Sequence, residues 1–154
     1  MDWQDGGVGR IGVVCTLALL ALTGCEKRTP PAQACIQAQP ADVLQALRHA
    51  PDHVTLIDGT PLSQCVRRTI DDSRLQALGA TLTSAADALA RQMRTSDAAA
   101  FQLGFLIGAI DRGARQAAGL QGELANRIAG AAPPDGGTRR ALLMRGRAAG
   151  LRGG

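Results

Sequence analysis

Two histidines, four cysteines and thirteen carboxylates are the residues of this chain with chemistry to offer. His49 and His53 stand four apart, the spacing at which one helix presents two ligands to a metal ion. Pro51 lies between them and breaks such a helix, and only Asp52 and Asp58 stand near as a third ligand. His49 reads more simply as a cation-compatible residue at a helix C-terminus. Glycoside cleavage needs two carboxylates facing one bond. Asp71 and Asp72 are adjacent, so on a helix they point to different sides, and most other acids have an arginine four positions away. There is no Gly-x-Ser-x-Gly turn and no histidine placed to activate a serine. The glycine-rich end lacks the lysine and following helix of a phosphate-cradling loop. These patterns predict no catalytic residue, no metal site and no cofactor.

The remaining chemistry is at the thiols. An apolar run of 12 residues, Ile11 to Leu22, leads into Leu22-Thr23-Gly24-Cys25. It is well short of the ~20 residues a spanning helix needs, and it fits the core of a signal peptide. The run and the four residues resemble the lipobox of bacterial lipoproteins: an aliphatic residue, two small residues, then cysteine. A peptidase must bind such a segment extended, which small residues allow, and only a thiol gives the thioether that carries lipid. The resemblance implies removal of residues 1–24, a palmitate-class lipid anchor on Cys25, and a domain facing the periplasm or cell exterior. Glu26 rather than aspartate follows the cysteine, which in this class leans toward the outer membrane of a Gram-negative cell. One feature departs from the class. Met1 to Arg10 carries Asp2 and Asp5 against Arg10 alone, whereas signal n-regions are usually positive. Initiation at Val8 would leave Gly9-Arg10 with the expected sign.

On that reading Cys15 leaves with the signal and Cys25 is lipidated. Cys35 and Cys65 remain as an even pair in an oxidising compartment. A disulfide is the simplest fate, two free buried thiols the next, and a redox-active pair the least supported, since nothing resembles a Cys-x-x-Cys turn. Cleavage removes one arginine and two aspartates, so 16 basic and 11 acidic residues remain, a net charge of +5. That is too mild to argue for nucleic acid. Only Phe101 and Phe105 remain as aromatics, too few for a base-stacking platform or an aromatic sugar cleft.

The elements that would position these residues are helical, and the fold class expected is all-α, a small bundle of about four helices. Residues 25–34 form a lipidated tether, with Pro30-Pro31 holding it extended at about 3 Å per residue. The bundle occupies 35–132. A first helix runs from Pro40 to Ala50, stopped by Pro51. Val54 to Ile57 is a short extended connector before an Asp58-Gly59 turn. Thr60 caps the next helix, with Pro61 at its first position and Leu62, Cys65, Val66 and Ile70 on one face. Leu75, Leu78, Leu82, Ala85, Leu89 and Met93 form a packed seam. Thr95-Ser96-Asp97 starts a helix from Ala98 to Ala118, apolar almost all round between Phe101 and Ile110, and so central. Leu120, Leu124 and Ile128 mark a last helix before Pro133-Pro134. Residues 133–154 then read as a disordered basic tail with Arg139, Arg140, Arg145 and Arg147.

Ala100, Gly104 and Gly108 form a small-residue stripe that lets another backbone approach closely. Close packing inside the bundle is the plain reading and a homodimer face the sharper one. The tail would rest on anionic lipid, dock on an acidic partner, or only solubilise. Together these features predict a non-enzymatic, lipid-anchored envelope protein that interacts with or scaffolds an envelope partner at the membrane surface. The alternative is a small apolar-ligand carrier with an acyl cavity at Gly104 and Gly108.

Overall fold

A computed structural model describes residues 32–115, 119–134 and 137–154, the side chains of 137 and 138 excepted. The fold is all-α, as expected, but it has seven helices among the described residues rather than about four: α1 (Gln33–Gln37), α2 (Pro40–Leu47), α3 (Leu62–Arg68), α4 (Asp72–Gln92), α5 (Asp97–Ala114), α6 (Leu120–Ala129) and α7 (Gly137–Gly153). None of them is long and apolar enough to cross a membrane.

Local chemistry sets the boundaries. Gln39 and Asp42 form a capping box at the start of α2, the Gln39 N–H donating to Asp42 Oδ2 at 2.9 Å. The segment after Pro51 is the extended connector expected, with Val54 and Leu56 buried and Ile57 wholly exposed. Its turn is closed by Gly59 at φ +82°, a left-handed conformation that glycine adopts without cost. Thr60 does not cap α3. Its N–H donates to Asp58 Oδ1 at 2.9 Å and its carbonyl accepts from Leu56, so it belongs to the turn, and Pro61 is the cap instead. The Thr60 backbone hydrogen bond holds the Asp58 carboxyl below the usual aspartate range. Ile70 leaves the face predicted for it and is exposed, because α3 ends at Arg68 and the chain turns. Asp71 then caps α4 by accepting from the Arg74 N–H at 2.9 Å and from Ser73 Oγ at 2.6 Å.

The predicted α4 seam is buried along its whole length, Leu75 to Met93. Ser96 caps α5, its Oγ accepting from the Ala99 N–H at 3.2 Å. From Leu103 to Ile110 every residue of α5 is buried. Helices α3, α4, α6 and α7 pack around it, so α5 is the central helix that its all-round hydrophobicity implied.

The largest correction is at the C-terminal end. Residues 137–153 are not a disordered tail but the helix α7, and the bundle does not stop at 132. The composition is basic and glycine-rich, which argues against folding. The glycines, however, are where α7 meets α5.

Candidate functional site

Gly104 and Gly108 on α5 face α7, and Gly146 and Gly150 on α7 face α5. A Cβ on Gly104 would overlap the Leu143 carbonyl oxygen and lie 2.8 Å from its carbon; on Gly108 it would overlap the Arg147 carbonyl oxygen and lie 2.8 Å from the Leu151 nitrogen. The reverse holds for Gly146 against the Phe101 carbonyl and for Gly150 against the Phe105 carbonyl, each 2.9 Å from the carbonyl carbon. Contacts advance along both helices together, so α5 and α7 run parallel, with backbone against backbone. This is small-xxx-small geometry with a stripe on each helix. Ala100, in line with the α5 stripe, is fully buried.

The face at Ala100, Gly104 and Gly108 is therefore a packing face within the chain. The cavity expected at Gly104 and Gly108 is not there: the α7 backbone fills that space. Leu143 is the large side chain that α7 buries, at 8% exposure, so close backbone dispersion contacts take the role that apolar side chains play elsewhere.

Two ion pairs flank this seam, and they account for two of the four arginines assigned to a solvated tail. Arg147 grips Asp111 with Nε at 3.0 Å and Nη2 at 2.6 Å from Oδ2, in a partly buried site. Arg139 Nε lies 3.0 Å from Asp97 Oδ1, in the open. Arg140 donates to the Pro134 carbonyl at 3.2 Å, and Arg145 is exposed. Reading Asp111 with Arg115, four residues on, missed this, because the real partner is 36 positions away. At the far end Arg112 donates to the Arg152 carbonyl, and Ser63 Oγ to the Gly154 oxygen at 2.5 Å. The one signal that could have found α7 is the repeat of a glycine four-step, Gly146 and Gly150, matching Gly104 and Gly108.

Cys35 and Cys65 stand at disulfide distance, 5.3 Å between Cα atoms, and tie α1 to α3 across a separation of 30 residues. Cys25 lies outside the described residues. His49 and His53 are both exposed, on either side of Pro51. Among the described residues no three His, Cys, Asp or Glu side chains are grouped to hold a metal.

Two hollows bear on function. A cleft of about 500 Å³ between α4 and α6 has Leu75, Gly79, Leu120 and Leu124 as its apolar lining, with Asp72, Glu123 and Arg127 at its rim. A niche of about 230 Å³ lies where α3 starts and α5 and α7 end. Comparison with protein-family models, with curated proteins and with solved structures finds no match for the chain.

Proposed function

We propose that this is a lipid-anchored envelope protein without catalytic activity, held at a membrane surface by Cys25 and serving there as an interaction or scaffolding module. The observation that carries the reading is Leu22-Thr23-Gly24-Cys25 after a 12-residue apolar run. The pairing of Cys35 with Cys65 at disulfide distance supports it independently, because such bonds persist in oxidising compartments. Helix α1 already begins at Gln33, so the tether after Cys25 is shorter than the sequence suggests and holds the bundle within about 20 Å of its bilayer. Arg140 and Arg145, exposed on α7, suit contact with anionic head groups or an acidic partner. Stable anchoring takes more than one acyl chain, as the lipoprotein class implies.

Metabolic labelling with an alkynyl palmitate, together with membrane fractionation, tests the anchor. The wild-type chain should carry label and sediment with membranes, and Cys25→Ser should lose both. Unchanged fractionation of Cys25→Ser would overturn the anchor and the compartment with it. A pull-down of the anchored protein from its native membrane identifies the partner. A carrier of small apolar ligands is the second reading, supported by the cleft between α4 and α6, whose volume lies in the usual ligand range. Native mass spectrometry of protein from its own host should then show a bound ligand.

A further inference from the structure

The cleft between α4 and α6 opens to solvent along its outer side. Gln121 Nε2 donates to the Thr69 carbonyl at 3.2 Å, which sets the starts of the two helices side by side. From there the lining runs from Asp72 to Gly79 on α4 and from Leu120 to Arg127 on α6, about 11 Å or two helical turns on each. Leu75, Gly79 and Leu124 form a buried floor. At the mouth stand Leu120, 51% exposed, and Ile70, 56% exposed and next to Thr69; they are two of the five large apolar side chains exposed among the described residues. Exposed apolar side chains gathered beside an apolar hollow mark an interaction surface. The rim charges are ordered. Asp72 and Glu123 lie in the first turns of their helices and Arg127 in the last turn of α6, and none of the three forms an ion pair among the described residues. One end of the cleft is therefore acidic and the other basic.

We propose that this cleft is the interface with a second copy of the chain. A half-turn about an axis through its middle lays the acidic end of each copy on the Arg127 of the other, and the Leu120 of each over the apolar floor of the other. Such self-complementarity is what a two-fold interface requires. A ligand of one charge sign meets attraction at one end of the cleft and repulsion at the other; a second copy satisfies both ends at once. The face is distinct from the stripe at Ala100, Gly104 and Gly108, against which α7 packs. The inference rests on neither the lipid anchor nor the carrier reading, and it competes with the carrier for the same cleft.

The test is sedimentation equilibrium of the full chain in density-matched detergent, which reads the protein mass per particle whether or not an acyl chain is attached. A concentration-dependent dimer is expected. Leu120→Glu changes an exposed site, so the fold survives, as a circular dichroism melt checks, and the dimer Kd should rise at least about a hundredfold. Each rim substitution counts twice across a two-fold axis. Arg127→Glu alone and Asp72→Arg alone should each weaken the dimer about tenfold, and Asp72→Arg/Arg127→Glu together should return it to near wild type. A general change of net charge gives no such rescue. A monomer throughout, at up to about 0.2 mM protein, would overturn the proposal. So would a dimer that none of these substitutions weakens, or a double reversal without rescue. Native mass spectrometry of protein from its own host separates the competing occupant: a monomer with a small apolar ligand bound would overturn the dimer and leave the carrier reading standing. The anchor is untouched by any of these results, because it stands on the fractionation of Cys25→Ser alone.

Discussion

Gly104→Ala is the sharpest test of how α7 is held. The added methyl would overlap the Leu143 carbonyl oxygen, with the carbonyl carbon at 2.8 Å and the Arg147 nitrogen at 2.9 Å. Comfortable carbon contacts begin at about 3.5 Å, so the two helices must separate by something on the order of 1 Å. That loosens the contacts at Gly108, Gly146 and Gly150 as well. Overpacking of this kind costs about 3 kcal/mol at the upper end of its usual range. Alanine returns about 1 kcal/mol in helix propensity, leaving a net loss of about 2 kcal/mol. For a domain of this size the midpoint of thermal unfolding should fall by about 8 °C. Gly122→Ala is the control. It makes the same change in α6, where a Cβ meets nothing within 4 Å, and it should raise the midpoint by about 3 °C. Circular dichroism melts of the two variants beside the wild type measure both effects, and hydrogen exchange should show protection lost chiefly from α7. If Gly104→Ala melts at or above wild type, the backbone contact between α5 and α7 is wrong. The larger Gly104→Leu should unfold the domain; a folded variant that merely changes oligomeric state on a sizing column would restore the homodimer face.

Other contacts give three more expected outcomes. Replacing Cys35 and Cys65 together by alanine opens a loop of 30 residues and should cost about 3.5 kcal/mol in the chain-entropy model, read by urea denaturation. Asp111→Asn should cost about 1 kcal/mol, since it removes the charge from a partly buried pair in which two guanidinium N–H groups donate to one carboxylate oxygen, whereas Asp97→Asn at the exposed Arg139 pair should cost under about 0.5 kcal/mol and nothing measurable in 0.5 M salt. Asp71 has its carboxyl held below the usual aspartate range by hydrogen bonds from Ser73 Oγ and the Arg74 N–H. Its contribution is therefore present above the unfolded aspartate pKa and is lost as pH falls through the folded one, so Asp71→Ala should destabilise at neutral pH and match wild type in strong acid.

Where burial was by apolar side chains, the sequence was informative. The α4 seam is legible from steps of three and four, α5 from a run hydrophobic on all sides, and the start of α5 from Ser96 before Asp97. The cysteine pair was also legible, as the even pair left over once the lipobox resemblance assigns Cys15 and Cys25 elsewhere. What could not be seen was packing without side chains. α7 has one large buried side chain, Leu143, no acidic residue and a run of glycines and arginines, so any measure of hydrophobic periodicity passes over it. Its partner is parallel and some forty residues upstream, and nothing local reports that. The same distance hid the roles of Asp97 and Asp111. α1 was missed because five residues carry too little periodicity to count. The cleft between α4 and α6 needed two helix starts to converge, a fact of topology alone.

The bond between α1 and α3 also settles how a mechanical load would travel. A pull on the chain ahead of Cys35 does not peel away the five-residue α1 and then unravel α2. It crosses the sulfurs at Cys35 and Cys65 into α3, which lies against the central helix. The span between them, with α2 and the Asp58-Gly59 turn, is bypassed and carries no tension. Any device that senses a pull from the N-terminal side of this molecule would have to reside in α3 or in the helices α4 to α7.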